Sequence, residues 1–204
     1  MDQALLSSFR VLPVVTAYDV DVTVQLARTL LSGGMKAIEI TLRTAAALDA
    51  IRAVKQHVPE IQVAAGTITN PTELAAAADA GADFFVSPGS SAQLLQAARR
   101  MGVDFVPGVA TASEVMLGLD HDFSAFKLFP AMAAGGIPLL KSLAGPYPNV
   151  RFCPTGGLTP DNFREFLDLP NVICCGGSWM VADKLVRQGS WSEIERLAAE
   201  AMAV

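Results

Sequence analysis

The sequence predicts an α/β protein, a single (β/α)8 TIM barrel over residues 1–204, from three observations: short β-branched and aromatic runs at a steady spacing, helix-period stretches between them, and glycine or proline at most joints. The runs lie at residues 11–16, 36–41, 61–65, 83–87, 104–106, 124–129, 151–154 and 172–175, with centres about 20 to 26 residues apart, a period that fits one strand and one helix per unit. Alternation of strand and helix implies a parallel sheet. An open doubly wound sheet would also alternate, but eight evenly spaced units favour closure into a barrel.

In chain order, the first run is followed by a helical stretch over 22–31, closed by Gly33-Gly34, and the second by one over 45–57. The third leads to Asn70-Pro71, a capping residue with proline at the first helical position, and so to a helix over 71–80 closed by Gly81. A fourth helix over 92–101 ends at Gly102. Thr159-Pro160 repeats the entry signal after the seventh run, and residues 191–203 form the last helix. No linker, low-complexity tract or second domain interrupts the pattern.

Bulk properties narrow the function. A net charge of -5 with scattered Lys and Arg offers no basic stripe for nucleic-acid phosphates. No apolar run approaches the roughly 18 residues of a membrane span, and the first ten residues lack the order of a signal peptide, so a soluble, cytoplasmic protein is expected. The three cysteines, Cys153, Cys174 and Cys175, form no Cys-x-x-Cys pair and read as buried thiols. Of the two histidines, His57 ends a helix and His121 sits between two aspartates, so neither a metal nor another cofactor is expected.

Strands covered on both faces should be apolar throughout, so an ionisable residue inside one needs a reason. In Glu39-Ile40-Thr41-Leu42-Arg43, strand alternation puts Glu39, Thr41 and Arg43 on one side, with Ile38, Ile40 and Leu42 on the other. In Ser124-Ala125-Phe126-Lys127-Leu128-Phe129-Pro130 it puts Ala125, Lys127 and Phe129 inward. A closed barrel has no edge for a gatekeeper lysine to protect, and an ion pair kept only for structure often fails to repay its desolvation. An inward Lys127 and Glu39 therefore point to chemistry. Removal from water disfavours a charged amine, and a neutral one can attack a ketone to form a Schiff base, with the carboxylate moving protons. Arg43 offers a planar fork to a substrate carboxylate. The glycine pairs Gly156-Gly157 and Gly176-Gly177, the latter followed by Ser178, fall after the seventh and eighth runs, where phosphate-binding barrels aim backbone amides at a dianion.

The runs Glu39-Ile40-Thr41-Leu42-Arg43, Ala65-Gly66-Thr67, Ser87-Pro88-Gly89, Phe126-Lys127-Leu128-Phe129-Pro130, Arg151-Phe152-Cys153-Pro154-Thr155-Gly156-Gly157 and Gly176-Gly177-Ser178-Trp179 resemble, in order and over nearly the whole chain, the 2-keto-3-deoxy-6-phosphogluconate aldolases of the Entner-Doudoroff pathway, also described as 4-hydroxy-2-oxoglutarate aldolases. The resemblance implies a class I aldolase that needs no cofactor and splits the phosphorylated keto-deoxy sugar acid into pyruvate and glyceraldehyde 3-phosphate. It makes Lys127 the Schiff-base lysine and Glu39 the general acid/base. It has Arg43 and Thr67 hold the pyruvyl carboxylate, Phe129 pack beside the imine, Thr155 contact substrate hydroxyls, and Gly156, Gly157 and Ser178 bind the phosphate. It also implies a homotrimer. The chain departs from the pattern in having Ala64 where relatives have glycine, and Thr16 where some carry an arginine. A phosphosugar isomerase or epimerase barrel is the alternative; it would share the phosphate loops but need no imine-forming lysine.

Overall fold

The computed structural model describes residues 6–203; residues 1–5 and 204, at the ends of the expected domain, lie outside the described residues. Among the described residues there are nine strands where eight runs were expected: β1 Val11–Thr16, β2 Ala37–Thr41, β3 Gln62–Gly66, β4 Phe84–Val86, β5 Phe105–Val106, β6 Gly108–Val109, β7 Ala125–Leu128, β8 Arg151–Pro154 and β9 Cys175–Gly177. Every ladder between them is parallel. They form a six-stranded sheet in the order β5-β4-β3-β2-β1-β9 and a three-stranded sheet in the order β6-β7-β8. β5 and β6 are one run broken at Pro107, which has no N–H to give a ladder but whose carbonyl accepts from the Lys127 N–H at 2.9 Å. At the far side, isolated parallel bridges join Phe152 to Val172 and Thr155 to Gly176. There the Phe152 N–H donates to the Asn171 carbonyl at 2.8 Å and the Ile173 N–H to the Phe152 carbonyl at 3.0 Å. The result is an α/β fold whose parallel sheet curls strongly.

The helices alternate with the strands: α1 Val20–Ser32, α2 Ala47–His57, α3 Pro71–Asp79, α4 Ala92–Met101, α5 Ala112–Asp120, the short pair α6 Ala131–Ala134 and α7 Gly136–Ala144, α8 Phe163–Leu167, α9 Asp183–Arg187 and α10 Trp191–Met202. As expected, Asn70 caps α3, its side chain accepting from the Glu73 N–H with Pro71 in the first turn. α5 carries a full capping box between Thr111 and Glu114. Among the described residues no helix is long and apolar enough to cross a membrane.

Two expectations are corrected. Thr159 does not cap a helix beginning at Pro160, because the Asn162 side chain accepts the Thr159 N–H at 2.8 Å, and the helix starts only at Phe163. The last strand lies further along than 172–175, at Cys175–Gly177, paired to Val11–Pro13 of β1. Gly176 and Gly177 are therefore strand rather than loop, and low β-propensity hid them. Glycine is required there by close approach, since a Cβ on Gly176 would collide with the Thr155 side chain and one on Gly177 with the Trp179 ring.

Strand alternation separates two apolar layers. Ile38, Ile40, Phe126 and Leu128 belong to a large cluster with helix residues such as Ile51, Leu94 and Ile194. Leu12, Ala37, Ala64, Phe84, Val86, Val106, Ala125, Cys153 and Cys174 form a smaller cluster on the inner face, together with Leu6 and Phe9 from before β1. Phe9 stacks on Phe84 with ring centres 5.5 Å apart, so the segment leading into β1 packs within that inner layer.

Candidate active site

Glu39 is the third residue of β2, between two isoleucines of the outer cluster, and alternation turns it to the inner face. Lys127 is the third residue of β7, between Phe126 and Leu128 of the same cluster. The two meet: Nζ of Lys127 lies 2.9 Å from Oε1 and 3.1 Å from Oε2 of Glu39, with the residues only 5% and 1% exposed. Below them a void of about 10 Å³ is walled by Leu6, Leu12, Phe84, Val86, Val106 and Cys153. Above, the Phe129 ring centre is 5.5 Å from Nζ. The pair thus sits between an apolar floor and the Phe129 ring.

Charge at this depth reaches its neighbours. The Cys153 thiol, on the strand beside Lys127, is held below its ordinary range chiefly by a hydrogen bond from Cys174, with burial opposing and the Lys127 charge assisting. Cys174 is pushed well up by the same hydrogen bond and by burial. Both are free thiols, as is Cys175. The sequence marked them as buried but not as neighbours of the amine, because that proximity arises between strands.

Arg43 follows β2 and donates from Nε to Oγ1 of Thr67 at 3.1 Å. Thr67 holds φ at +62°, a left-handed backbone that a β-branched residue rarely adopts, and such strain collects where surrounding structure needs a side chain in one place. Here the turn after β3 holds the Thr67 hydroxyl where the guanidinium donates to it.

Beyond Phe129 a cavity of about 190 Å³ is lined by Arg43, Phe129, Thr155, Gly156, Gly157 and Ser178, among others. The Thr155 and Gly156 carbonyls are taken by the N–H groups of Ala131 and Met132, at 2.8 and 3.1 Å, which fixes the glycine loop. Gly156 and Gly157 both take positive φ, +102° and +81°, so the turn requires glycine. Among the described backbone hydrogen bonds, none takes its donor from Gly156, Gly157 or Ser178. Ser178 precedes a 3-10 turn over Trp179–Val181, and its side chain caps nothing there. The candidate site residues thus fall in two groups, Glu39 with Lys127 at the inner void and Arg43, Phe129, Thr155, Gly156, Gly157 and Ser178 around the second cavity, joined by the contact of Phe129 with Lys127, and with Thr67 attached through its bond to Arg43. Arg43 and Ser178 also line an adjoining cavity of about 290 Å³, which shares Thr16, Val181 and Asp183 with a larger one of about 390 Å³ lined by Tyr18, Val22, Val186 and Arg187 among others.

The sequence reading passed over one supporting device. Ser87 Oγ accepts the Gly108 N–H at 3.0 Å, and Ser90 Oγ donates to the Gly108 carbonyl at 2.7 Å, which clamps the loop after β4 to the strand beside Lys127. A Cβ on Gly108 would strike the Pro88 backbone, and the glycine after Pro107 was the only sequence signal of this approach.

The model of the family described as Aldolase: KDPG and KHG aldolase matches residues 3–197. This chain belongs to that aldolase family. Among KDPG and KHG aldolases, it is 45% identical over 201 residues to the 2-dehydro-3-deoxy-phosphogluconate aldolase of Pseudoalteromonas atlantica, covering 98% of this chain and 94% of the relative. It is 44% identical over 200 residues to the KHG/KDPG aldolase of Escherichia coli K12, with the same coverage. The crystal structure of KDPG aldolase from Legionella pneumophila, in which pyruvate is captured as a covalent carbinolamine intermediate, superposes with a TM-score of 0.95 at 40% identity, covering 98% of this chain and 97% of that one.

Proposed function

We propose that this member of the family is a class I aldolase cleaving 2-dehydro-3-deoxy-6-phosphogluconate to pyruvate and glyceraldehyde 3-phosphate through a Schiff base on Lys127. The observation that carries the reading is the Lys127–Glu39 contact at 2.9 Å inside an otherwise apolar inner face. An isolated pair there costs more in desolvation than it returns, whereas a pair that passes a proton yields a neutral amine on demand. The solved relative with pyruvate bound as a carbinolamine supports the same chemistry.

Lys127 attacks the C2 ketone, and Glu39 delivers the proton that lets water leave, giving an iminium. The iminium accepts the C3–C4 bonding electrons while Glu39, now a carboxylate, takes the C4 hydroxyl proton directly or through a water. Glyceraldehyde 3-phosphate departs, leaving an enamine whose protonation at C3 and hydrolysis free pyruvate and the lysine. Arg43, oriented by Thr67, pairs with the pyruvyl carboxylate, Phe129 packs beside the imine, and Thr155 contacts the substrate hydroxyls. The amides of Gly156 and Gly157, with Ser178, receive the phosphate. No cofactor or metal enters this scheme. Cleavage of 4-hydroxy-2-oxoglutarate to pyruvate and glyoxylate needs the same residues except the phosphate contacts, and it is proposed as a second activity.

The reading includes a closed (β/α)8 barrel forming one domain, with β5 and β6 as one interrupted strand and the bridges at Val172 and Gly176 as the closing seam. It also includes a homotrimer in the cytoplasm, implied by the family resemblance and testable by sedimentation and fractionation. The direct test of the chemistry is incubation with pyruvate and borohydride followed by peptide mapping. A reduced pyruvyl adduct is expected on Lys127 alone. An adduct on Lys141 or Lys184 instead, or no adduct, would falsify the assignment.

A further inference from the structure

Gly66 ends β3 and takes no left-handed backbone, so its φ does not call for glycine. Its carbonyl accepts the Leu42 N–H at 2.8 Å, and Thr41 lies opposite it in register, as for any strand residue. A glycine in a strand gives up side-chain packing and loses more freedom on folding than alanine does, and in such a place it often marks a close approach by another group. The approaching group here is the catalytic candidate itself. A Cβ built on Gly66 would have Glu39 as the source of its three nearest atoms: Oε1 in outright overlap, Cγ at 2.6 Å and Cδ at 2.7 Å. Glu39 is opposite Ala64 in register, so its carboxylate reaches across to Gly66 to meet Lys127.

We infer that Gly66 is a positioning residue: the missing side chain is the space in which the Glu39 carboxylate stands against the Lys127 amine. The inference rests on the proposed acid/base role of Glu39 and deepens it. Glu39 is 1% exposed and held by two contacts to Nζ, so a methyl on Gly66 displaces the carboxylate rather than being absorbed by solvent-side motion. A displacement of about 1 Å is enough to cost a proton-transfer step on the order of 10²-fold. The Gly156-Gly157 loop and Ser178 lie elsewhere and are unaffected, so KM for the phosphorylated substrate moves less than kcat.

The test is Gly66→Ala, alone and combined with Glu39→Ala. With Glu39 present, the alanine is expected to lower turnover and the rate of borohydride-trapped imine formation on the order of 10²-fold. With Glu39 already removed, the same change should alter the residual rates by less than about two-fold, since the group it acts through is gone. Equal losses in both backgrounds, or near wild-type turnover in the single variant, overturn the inference. Wild-type turnover in Glu39→Ala would instead sink the acid/base reading, and a crystal structure of Gly66→Ala then decides the steric claim. Loss of the Glu39–Lys127 contact supports it, and retention at 2.9 Å overturns it. If Gly66→Ala fails to fold, the double variant must fold, because it removes the atoms nearest to the methyl; failure of both also overturns the inference.

Discussion

Glu39 and Lys127 face each other at 2.9 Å among the apolar side chains of the inner face, within reach of the direct proton transfer that the proposed mechanism uses. Glu39→Gln keeps shape and volume but cannot accept the proton, so turnover should fall on the order of 10² to 10⁴-fold with the far-UV dichroism unchanged. Near wild-type turnover in that variant would remove Glu39 from the mechanism. The phosphate contacts need a gentler probe than a bulky change at Gly157. That residue sits at φ +81° with the Met132 side chain within 2.8 Å of a prospective Cβ, so Gly157→Val strains the turn whatever it does to the ligand. Ser178→Ala removes one exposed hydroxyl that caps nothing. It should raise KM for the phosphorylated substrate on the order of 10- to 100-fold, the cost of about one hydrogen bond to a charged group, and leave cleavage of 4-hydroxy-2-oxoglutarate unchanged. Equal effects on both substrates would move the phosphate away from Ser178.

Elements were legible where apolar periodicity and turn chemistry agreed. β1 and α4 begin and end where the sequence says, and Asn70 with Pro71 opens α3 because the cap and the missing N–H both serve the first turn. Asn70→Ala should cost about 1 kcal/mol, read as a fall of a few degrees in Tm. The misreadings share a cause, which is that a side chain or a neighbouring strand outbid the local signal. Asn162 captured the Thr159 N–H, and Gly176 and Gly177 became strand because β1 pairs with them and because Thr155 and Trp179 crowd them. Within the site, Glu39, Lys127 and the glycine pair at 156–157 could be read from alternation and punctuation alone. Thr67 and Ser178 rested on family likeness, and the serine clamp on Gly108 left only the glycine after Pro107 as a signal because its members come from two different units.

Across the whole molecule, stability and closure can be tested separately. Phe9 is 1% exposed and stacked on Phe84, so Phe9→Ala should cost about 3–5 kcal/mol and lower Tm by about 10 °C. Closure is read at the seam by hydrogen exchange. The Ile173 amide, bonded to the Phe152 carbonyl at 3.0 Å, should exchange as slowly as the amides of the β2–β3 ladder if the barrel is closed. Exchange at loop rates there would mean an open sheet.

The apolar floor beneath the ion pair also dictates traffic. With Leu6, Leu12, Phe84 and Val86 walling a void of only about 10 Å³, nothing the size of a substrate fits on that side of the pair, so in the proposed mechanism substrate comes and goes on the side of Phe129 and Arg43. A six-carbon substrate must enter with its keto end leading, and its fragments must leave in the reverse queue: the aldehyde nearest that side first, the pyruvyl fragment last. Product-inhibition kinetics should show this order, with pyruvate competing directly against the sugar acid for the empty enzyme and glyceraldehyde 3-phosphate giving mixed inhibition.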